Sequence, residues 1–245
     1  MKIKQLVPGA TIVLTFLLSY IGTLSLYHRL HLRVARVKAP TTHYHGYDLN
    51  KRAIRRMKTL TVLISAEGFG GISRGTGVLI DSRHVLTCAH VANHHNDEMR
   101  VFLYPGYISA VAKTVYQDQS KDLAILELDV SAKAPYWPTF EPNVWDGEPI
   151  TIIGNALGSM KWFVAYGIIS GGDKRDLYTD GLVLGGDSGG PWINEKGKIV
   201  AISDWGLGRR GEETGISGGV AAKTILQFLE DWKHPSLLQR LFGGE

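Results

Sequence analysis

A single serine lies between an aspartate and a pair of glycines in the segment GGDSGGPW, residues 185–192. Glycines at this density add nothing to a core and raise the entropy cost of ordering the chain. They are tolerated where the backbone turns sharply or approaches another group closely. The segment is therefore either a tight turn between two strands or a nucleophile loop. In a nucleophile loop, Ser188 would attack a carbonyl carbon, and the backbone N–H groups of Gly186 and Ser188 would stabilise the oxyanion.

A nucleophilic serine needs a base, and the base needs an acid that orients it. His90 ends the apolar and β-branched run HVLTCAH, where a strand is expected to finish. Asp122 comes directly before the apolar run LAILELD. A half-buried carboxylate there can hold an imidazole in one tautomer and stabilise its charged form. We interpret His94, His95 and Asp118 as solvated loop residues.

The order of these three residues favours one arrangement of the triad. The sequence runs His90, Asp122, Ser188, which is the order of chymotrypsin and differs from the orders of subtilisin and the α/β-hydrolases. An α/β-hydrolase would also need helices between its strands, and the pattern between residues 59 and 205 does not predict them.

The chain after residue 58 predicts many short strands and one helix. Eleven apolar or β-branched runs alternate with Gly, Pro, Asn and Asp turn signals. These runs are residues 59–66, 75–81, 84–89, 100–105, 108–116, 123–129, 149–154, 161–170, 182–184, 190–194 and 198–205. So many short strands favour an all-β barrel or sandwich. The apolar residues of 220–233 recur at near-helical spacing and predict a C-terminal helix.

Taken together, these segments resemble the trypsin/chymotrypsin-like serine proteases, and most of all the protease domain of the high-temperature-requirement (HtrA/Deg) branch. The resemblance covers roughly residues 58–233. It is carried by GTGVLID…VLTCAHV, KDLAILEL, PITIIGNALGS, VAYGIISG, TDGLVLGGDSGGPWINEKGKIVAI and GGVAAKTILQFL. It implies a chymotrypsin-like double six-stranded β-barrel, with His90, Asp122 and Ser188 in the cleft between the barrels. It also implies an endopeptidase that acts on polypeptides and needs no metal or organic cofactor.

The sequence departs from this branch in two places. Asp187 precedes Ser188 where the branch usually has asparagine, and aspartate is the wider trypsin-like form. The chain also stops about a dozen residues after the predicted C-terminal helix, so we expect no peptide-binding PDZ domain. The trimeric assembly of the branch is therefore not carried over, and the oligomeric state stays open.

The resemblance also locates a substrate pocket. In trypsin-like enzymes an acid six residues before the serine selects basic side chains, and here that position is Leu182. The strand expected to line the pocket contributes Ser203 and Trp205. We therefore expect a small or medium apolar side chain on the acyl side of the cleaved bond, although Asp180 lies nearby.

Composition limits the other function classes. The chain has one cysteine, Cys88, so no internal disulfide can form. Residues 1–58 contain 11 Lys and Arg against one acid, whereas residues 59–245 contain 16 against 22 acids. The basic excess thus lies outside the predicted folded part, and we expect no nucleic-acid partner. His43 and His45 lack the further ligands that a metal site would need.

The N-terminal part predicts a membrane anchor. Residues 9–27 form an uncharged run of 19 residues, about the length of a bilayer-spanning helix. Basic residues flank the run, and the sequence after it is a poor cleavage context for a signal peptide. We expect a tail over 1–8, a retained single-pass anchor over 9–27, a basic linker over 28–58 and a protease domain over 59–245. A cleaved signal peptide or a buried core helix are the alternatives.

The flanking charges do not orient the anchor clearly. The Lys and Arg counts on the two sides of the run are nearly balanced and lean slightly toward a cytoplasmic C-terminal side. Long domains can be translocated against that bias, and we favour the extracytoplasmic face.

Two other functions are compatible with the same residues. One is a catalytically silent, membrane-tethered binding module that keeps a protease fold. The other is an esterase or another acyl transferase with the same triad. The intact His90, Asp122 and Ser188 disfavour the first, and the residue order and the all-β pattern disfavour the second.

Overall fold

The computed structural model describes residues 51–68, 71–93, 98–106, 108–209 and 212–234. Within these residues, twelve strands pair antiparallel into two closed six-stranded barrels, and three helices accompany them. The predicted double β-barrel and its C-terminal helix are thereby confirmed.

The helices of this described part are all too short or too polar to cross a membrane. The anchor predicted over residues 9–27 lies outside the described residues.

The first barrel closes in the strand order β1-β2-β3-β6-β5-β4. A basic helix precedes it, and its interior is filled by fully buried aliphatic side chains such as Val62, Leu86 and Leu126. The elements are α1 (Lys51–Leu60), β1 (Thr61–Gly68), β2 (Gly71–Leu79), β3 (His84–Thr87), α2 (Ala89–Ala92), β4 (Glu98–Leu103), β5 (Ile108–Asp118) and β6 (Leu123–Leu128). Helix α1 adds Met57 and Leu60 to the same core.

The second barrel closes in the order β10-β11-β12-β9-β8-β7 around the fully buried Trp192. Its elements are β7 (Pro149–Ala156), β8 (Met160–Gly172), β9 (Asp176–Thr179), β10 (Pro191–Ile193), β11 (Ile199–Arg209), β12 (Glu212–Ala221) and α3 (Ala222–Lys233). Helix α3 follows the last strand and buries Ile225 and Phe228 in a core cluster that contains residues of both barrels. The Phe228 ring lies 5.1 Å from that of Tyr116 on β5, so the helix fastens the end of the second barrel to the first.

Four elements differ from the sequence-based prediction. Residues 182–184, predicted as a strand, have no regular structure. Strands β9 and β12 were not predicted, since β9 has only four residues and β12 contains three glycines, which are poor strand formers. Helix α1 lies where a basic linker was expected. Its apolar face recurs every three residues, at Ile54, Met57 and Leu60, among five basic side chains.

Candidate active site

The first barrel brings His90 and Asp122 into contact. His90 lies on the short helix α2, and Asp122 lies in the turn before β6 with a left-handed φ of 52°. The backbone N–H of Ala89 donates to the Asp122 carbonyl at 3.1 Å. The backbone N–H of His90 donates to Asp122 Oδ1 at 2.9 Å, and His90 Nδ1 lies 2.6 Å from Asp122 Oδ2. Both carboxylate oxygens are therefore used to hold the histidine in one orientation.

This contact shifts the proton affinity of both groups. The hydrogen bond that His90 donates to Asp122 raises the pKa of His90, and burial of the imidazole opposes that rise. Burial alone would raise the pKa of Asp122, but hydrogen bonds from His90 and Asp204 outweigh it and hold that pKa below its ordinary value. Asp122 is thus ionised at neutral pH and stabilises a positive charge on His90.

The glycines around Ser188 are required by close backbone contacts. Gly186 and Gly189 have φ angles of 95° and 87°, which side chains rarely adopt. A Cβ at Gly186 would lie 2.6 Å from the carbonyl oxygen of Asn155. At Gly189 it would lie 2.0 Å from the carbonyl oxygen of Thr76. The segment is a loop pressed against both barrels.

Thr76, on β2 of the first barrel, holds this loop through two hydrogen bonds. Its backbone N–H donates to the Ser188 carbonyl at 2.8 Å, and its hydroxyl donates to the Gly186 carbonyl at 2.7 Å. Among the described residues, nothing accepts a hydrogen bond from the backbone N–H of Gly186 or of Ser188. Two backbone N–H groups at the serine are thus free to donate, and stabilisation of an oxyanion requires such donors. Sequence reasoning missed Thr76, whose only signal was its position between two glycines.

The hydroxyl of Ser188 forms its hydrogen bond with Asp204, a residue whose side chain also approaches His90. Ser188 Oγ donates to the backbone carbonyl of Asp204 at 3.2 Å. The side chain of Asp204 also approaches the first barrel, since its Oδ1 lies 4.0 Å from His90 Nδ1. Bonds between nucleophile and base are often long in unliganded enzymes and tighten when substrate binds.

A cavity of about 390 Å³ opens beside Ser188. Predominantly apolar side chains and glycines line it, including the predicted Leu182 and Trp205. The prediction for Ser203 was wrong. Its side chain is fully buried, and its hydroxyl accepts a hydrogen bond from Trp192 Nε1 at 2.8 Å inside the second barrel.

The remaining candidates from the sequence have other surroundings. Asp118 accepts hydrogen bonds from the backbone N–H of Ser120 at 2.9 Å and from the ammonium group of Lys121, so it shapes its own turn. Asp180 is exposed at the rim of the cavity, and its Oδ1 accepts from the backbone N–H of Ile168 at 2.8 Å. The histidine pairs 43/45 and 94/95 lie outside the described residues.

Four polar side chains converge behind the site. One atom from each of Cys88, His90, Asp122 and Asp204 lies within 4.8 Å of the other three. A metal would need the thiolate form of cysteine, whereas burial raises the pKa of the Cys88 thiol well above its ordinary value. The thiol donates instead to the Ser203 carbonyl at 3.1 Å. The cluster therefore consists of a neutral thiol and of Asp204 beside the hydrogen-bonded pair of His90 and Asp122.

Asp187 is a buried carboxyl group beside the nucleophile. Its side chain accepts the backbone N–H of Leu184 at 2.9 Å through Oδ2, while Oδ1 is buried with no partner among the described residues. The missing side chain of Gly154 makes room for it, since a Cβ there would lie 2.3 Å from Oδ1. Burial raises the pKa of Asp187 to about 6.

Asp187→Asn is expected to stabilise the fold at alkaline pH. A carboxyl pKa that is raised on folding gives stability that is fully present below about pH 4 and is lost as pH rises through about 6. The amide carries no charge and keeps an acceptor for Leu184. The free energy of unfolding should therefore rise by about 1–3 kcal/mol at pH 8 and change little at pH 4. Urea denaturation at both pH values measures this. Asp146→Asn, at an exposed turn, should change neither value, and an equal gain at both pH values would contradict the role of ionisation.

Comparison with known proteins agrees with this geometry. The family profile of the trypsin-like peptidase domain matches residues 75–202, more than half of the 245-residue chain. The serine protease Do-like HtrB of Bacillus subtilis is 31% identical over 151 residues, which are 55% of this chain and 32% of that protein. The serine protease Do-like HtrA of the same organism is 27% identical over 191 residues, 69% of this chain and 41% of that protein. The chain thus spans less than half the length of either relative.

One solved structure extends the comparison to the fold. The crystal structure of the serine endoprotease from Yersinia pestis matches with a TM-score of 0.66 and 26% sequence identity. The match covers 74% of this chain and 65% of that one.

Proposed function

The chain belongs to the trypsin-like peptidases, and from that premise we propose that it is a serine endopeptidase whose triad is Ser188, His90 and Asp122. The observation that carries the proposal is the pairing of His90 Nδ1 with Asp122 Oδ2 at 2.6 Å, next to a serine flanked by two free N–H donors. The relatives are described as serine proteases, which supports the same chemistry here.

The proposed reaction follows from the positions of these groups. Ser188 Oγ attacks the carbonyl carbon of a peptide bond while His90 takes the hydroxyl proton. Asp122 keeps Nδ1–H of His90 directed at itself, so that Nε2 is the basic nitrogen. The N–H groups of Gly186 and Ser188 stabilise the oxyanion, at about 3–4 kcal/mol per donor. His90 then gives the proton to the leaving amine, and water repeats the sequence on the acyl-enzyme.

The cavity beside Ser188 supports a preference for small or medium apolar side chains. Leu182 and Ile216 bring apolar surface to it, and the only carboxylate among its described lining residues is that of the exposed Asp180. A negative group at the base of the cavity would be needed to hold a basic side chain.

Labelling with a diphenyl phosphonate that carries a valine-like side chain tests the proposal. The phosphorus should bond covalently to Ser188 Oγ, and peptide mapping should locate the adduct there. Cleavage profiling on a denatured proteome should then give bonds that follow small or medium apolar residues. An unlabelled but folded protein would indicate a silent binding module instead, whereas hydrolysis of short esters without casein cleavage would indicate an esterase.

We also propose that residues 9–27 anchor the protein in a membrane, with the peptidase domain on the extracytoplasmic face. Helix α1 supports a position of the domain next to a membrane surface, on either face. It carries five basic residues and no acid, and it lies at the end of the predicted basic linker. Such a helix suits a surface of anionic lipid headgroups.

Full-length protein is therefore expected to sediment with membranes and to resist carbonate extraction. A shortened protein that begins at residue 40 should be soluble and equally active, because the anchor supplies none of the triad. Protease treatment of intact spheroplasts should degrade the domain if it is extracytoplasmic. A soluble mature protein with its N-terminus downstream of Tyr27 would contradict the anchor and indicate a cleaved signal peptide.

A further inference from the structure

Asp204 on β11 lies beside the triad. Its side chain is only 9% exposed, and one of its carboxyl oxygens lies within 4.8 Å of an oxygen of Asp122. Its Oδ1 lies 4.0 Å from His90 Nδ1, and its backbone carbonyl accepts the Ser188 hydroxyl. One residue of the second barrel thus touches or approaches all three groups of the triad.

Around Asp204, the carboxyl groups outnumber the positive charges. Arg175 contacts Asp204 Oδ2 at 2.9 Å and Asp176 Oδ2 at 3.2 Å, and it is the guanidinium of this cluster. With Asp122 included, three carboxyl groups face one positive charge. Two ionised carboxylates in contact repel each other strongly when they are shielded from water. The least costly arrangement keeps one proton on the Asp122–Asp204 pair.

Hydrogen bonding decides which member of the pair holds the proton. Both oxygens of Asp122 accept hydrogen bonds from His90, one from the backbone N–H and one from the ring. Asp122 therefore acts as an acceptor only. Asp204 Oδ2 faces Arg175, which leaves Oδ1 on the side of Asp122 and His90. The proton belongs on Asp204, which donates it to Asp122.

Four other ionisable side chains lie around Asp204. They are Cys88 and His90 from the first barrel, and Arg175 and Asp176 from the second. Burial keeps the Cys88 thiol neutral by raising its pKa. Burial, and then the hydrogen bond to Asp122, raise the pKa of Asp204 to about 7, while Arg175 lowers it. Asp204 therefore titrates near pH 7, beside a His90 whose own pKa is raised.

We propose that Asp204 is a positioning residue of the peptidase site, which holds a proton shared with Asp122 and thereby fixes the orientation of Asp122 toward His90. This rests on the proposed function, and it adds a second ionisation to the pH dependence of the site. With the proton present, Asp122 receives one more hydrogen bond and stays directed at His90. When the proton leaves, Asp204 repels Asp122, and the added negative charge strengthens the hold of His90 on its own proton.

The first test follows the rate of Ser188 labelling by the same phosphonate from about pH 5 to about pH 9. The wild-type profile should contain an ionisation near pH 7 besides that of His90. Asp204→Asn keeps a hydrogen-bond donor toward Asp122 but cannot ionise. Its labelling rate should therefore stay within about threefold of the wild-type rate, while the ionisation near pH 7 disappears from the profile. Asp204→Ala removes the donor and should lower the rate about tenfold at all pH values. Glu127→Gln replaces a half-buried acid that pairs with Lys113 on the first barrel, and it should leave the profile unchanged.

The second test does not depend on activity. Infrared spectra of Ser188→Ala should contain a protonated carboxyl band that disappears as pH rises through about 7, and adding Asp204→Asn should remove this band. Adding Asp187→Asn instead should remove a separate band that titrates near pH 6. Adding Arg175→Gln should move the Asp204 titration to higher pH.

Two results would overturn the proposal. One is a labelling profile for Asp204→Asn that superimposes on that of the wild type. The other is a carboxyl spectrum that Asp204→Asn leaves unchanged. A third result separates the two proposals. If the phosphonate does not label Ser188 but the infrared band still requires Asp204, the peptidase function is contradicted and the shared proton is supported.

Discussion

Replacing Ser188 by alanine is expected to lower the rate of peptide hydrolysis by about 10⁴–10⁶ and to leave the fold intact. The hydroxyl is the attacking group in the proposed reaction, and no neighbouring side chain can replace it. Its single hydrogen bond among the described residues, to the Asp204 carbonyl, predicts a stability change of only about 1 kcal/mol. Casein cleavage and thermal unfolding measure the two effects separately.

The matched control for this substitution is Ser170→Ala, at an exposed position of β8. Like Ser188→Ala, it removes one serine hydroxyl group from the second barrel, and it should change neither the hydrolysis rate nor the stability. Residual activity of Ser188→Ala within tenfold of the wild type would contradict the serine-peptidase proposal.

Asp122→Asn is expected to lower the hydrolysis rate by about 10⁴. The carboxylate now accepts both the backbone N–H and the ring of His90. An amide offers one acceptor only, so the second contact either breaks or forces the imidazole into the wrong tautomer. The pKa of His90 should fall at the same time, since the hydrogen bond to Asp122 is the main cause of its rise. The pH dependence of residual hydrolysis and the histidine NMR titration measure these effects.

Asp118→Asn distinguishes this role from a general loss of acidic charge. Asp118 lies four residues earlier and holds Ser120 and Lys121 in their turn. Its replacement should reduce stability slightly and keep hydrolysis within a few-fold of the wild type. If Asp118→Asn is as damaging as Asp122→Asn, the assignment of the acid is wrong.

The residues that can be identified from sequence are those whose type carries the chemistry. Ser188 lies in a glycine-rich segment, His90 ends an apolar run, and Asp122 begins one. Each of these patterns is local, and their order along the chain selects the double barrel. The strands with alternating or continuous apolar residues were predictable for the same reason.

The supporting residues could not be predicted, because their roles arise from contacts between distant segments. Thr76 holds a loop 110 residues away in the sequence. Asp204 and Arg175 occupy ordinary strand and turn positions, and only the folded chain brings them to Asp122. Ser203 shows the opposite error. It lies next to Asp204 on the predicted strand, but the alternation of β11 turns its side chain toward Trp192.

The fastening of the nucleophile loop by Thr76 makes the two halves of this molecule depend on each other. The proposed base and acid belong to the first barrel, whereas the proposed nucleophile and oxyanion donors belong to the second. Neither barrel alone holds the whole proposed triad, and buried side chains of both barrels share one core cluster. The activity of the protein therefore depends on how the two barrels pack against each other within one polypeptide. In the same way, the activity of a split reporter depends on the association of its fragments. A protein that binds between the two barrels and separates them would abolish hydrolysis without contacting any of the three side chains of the proposed triad.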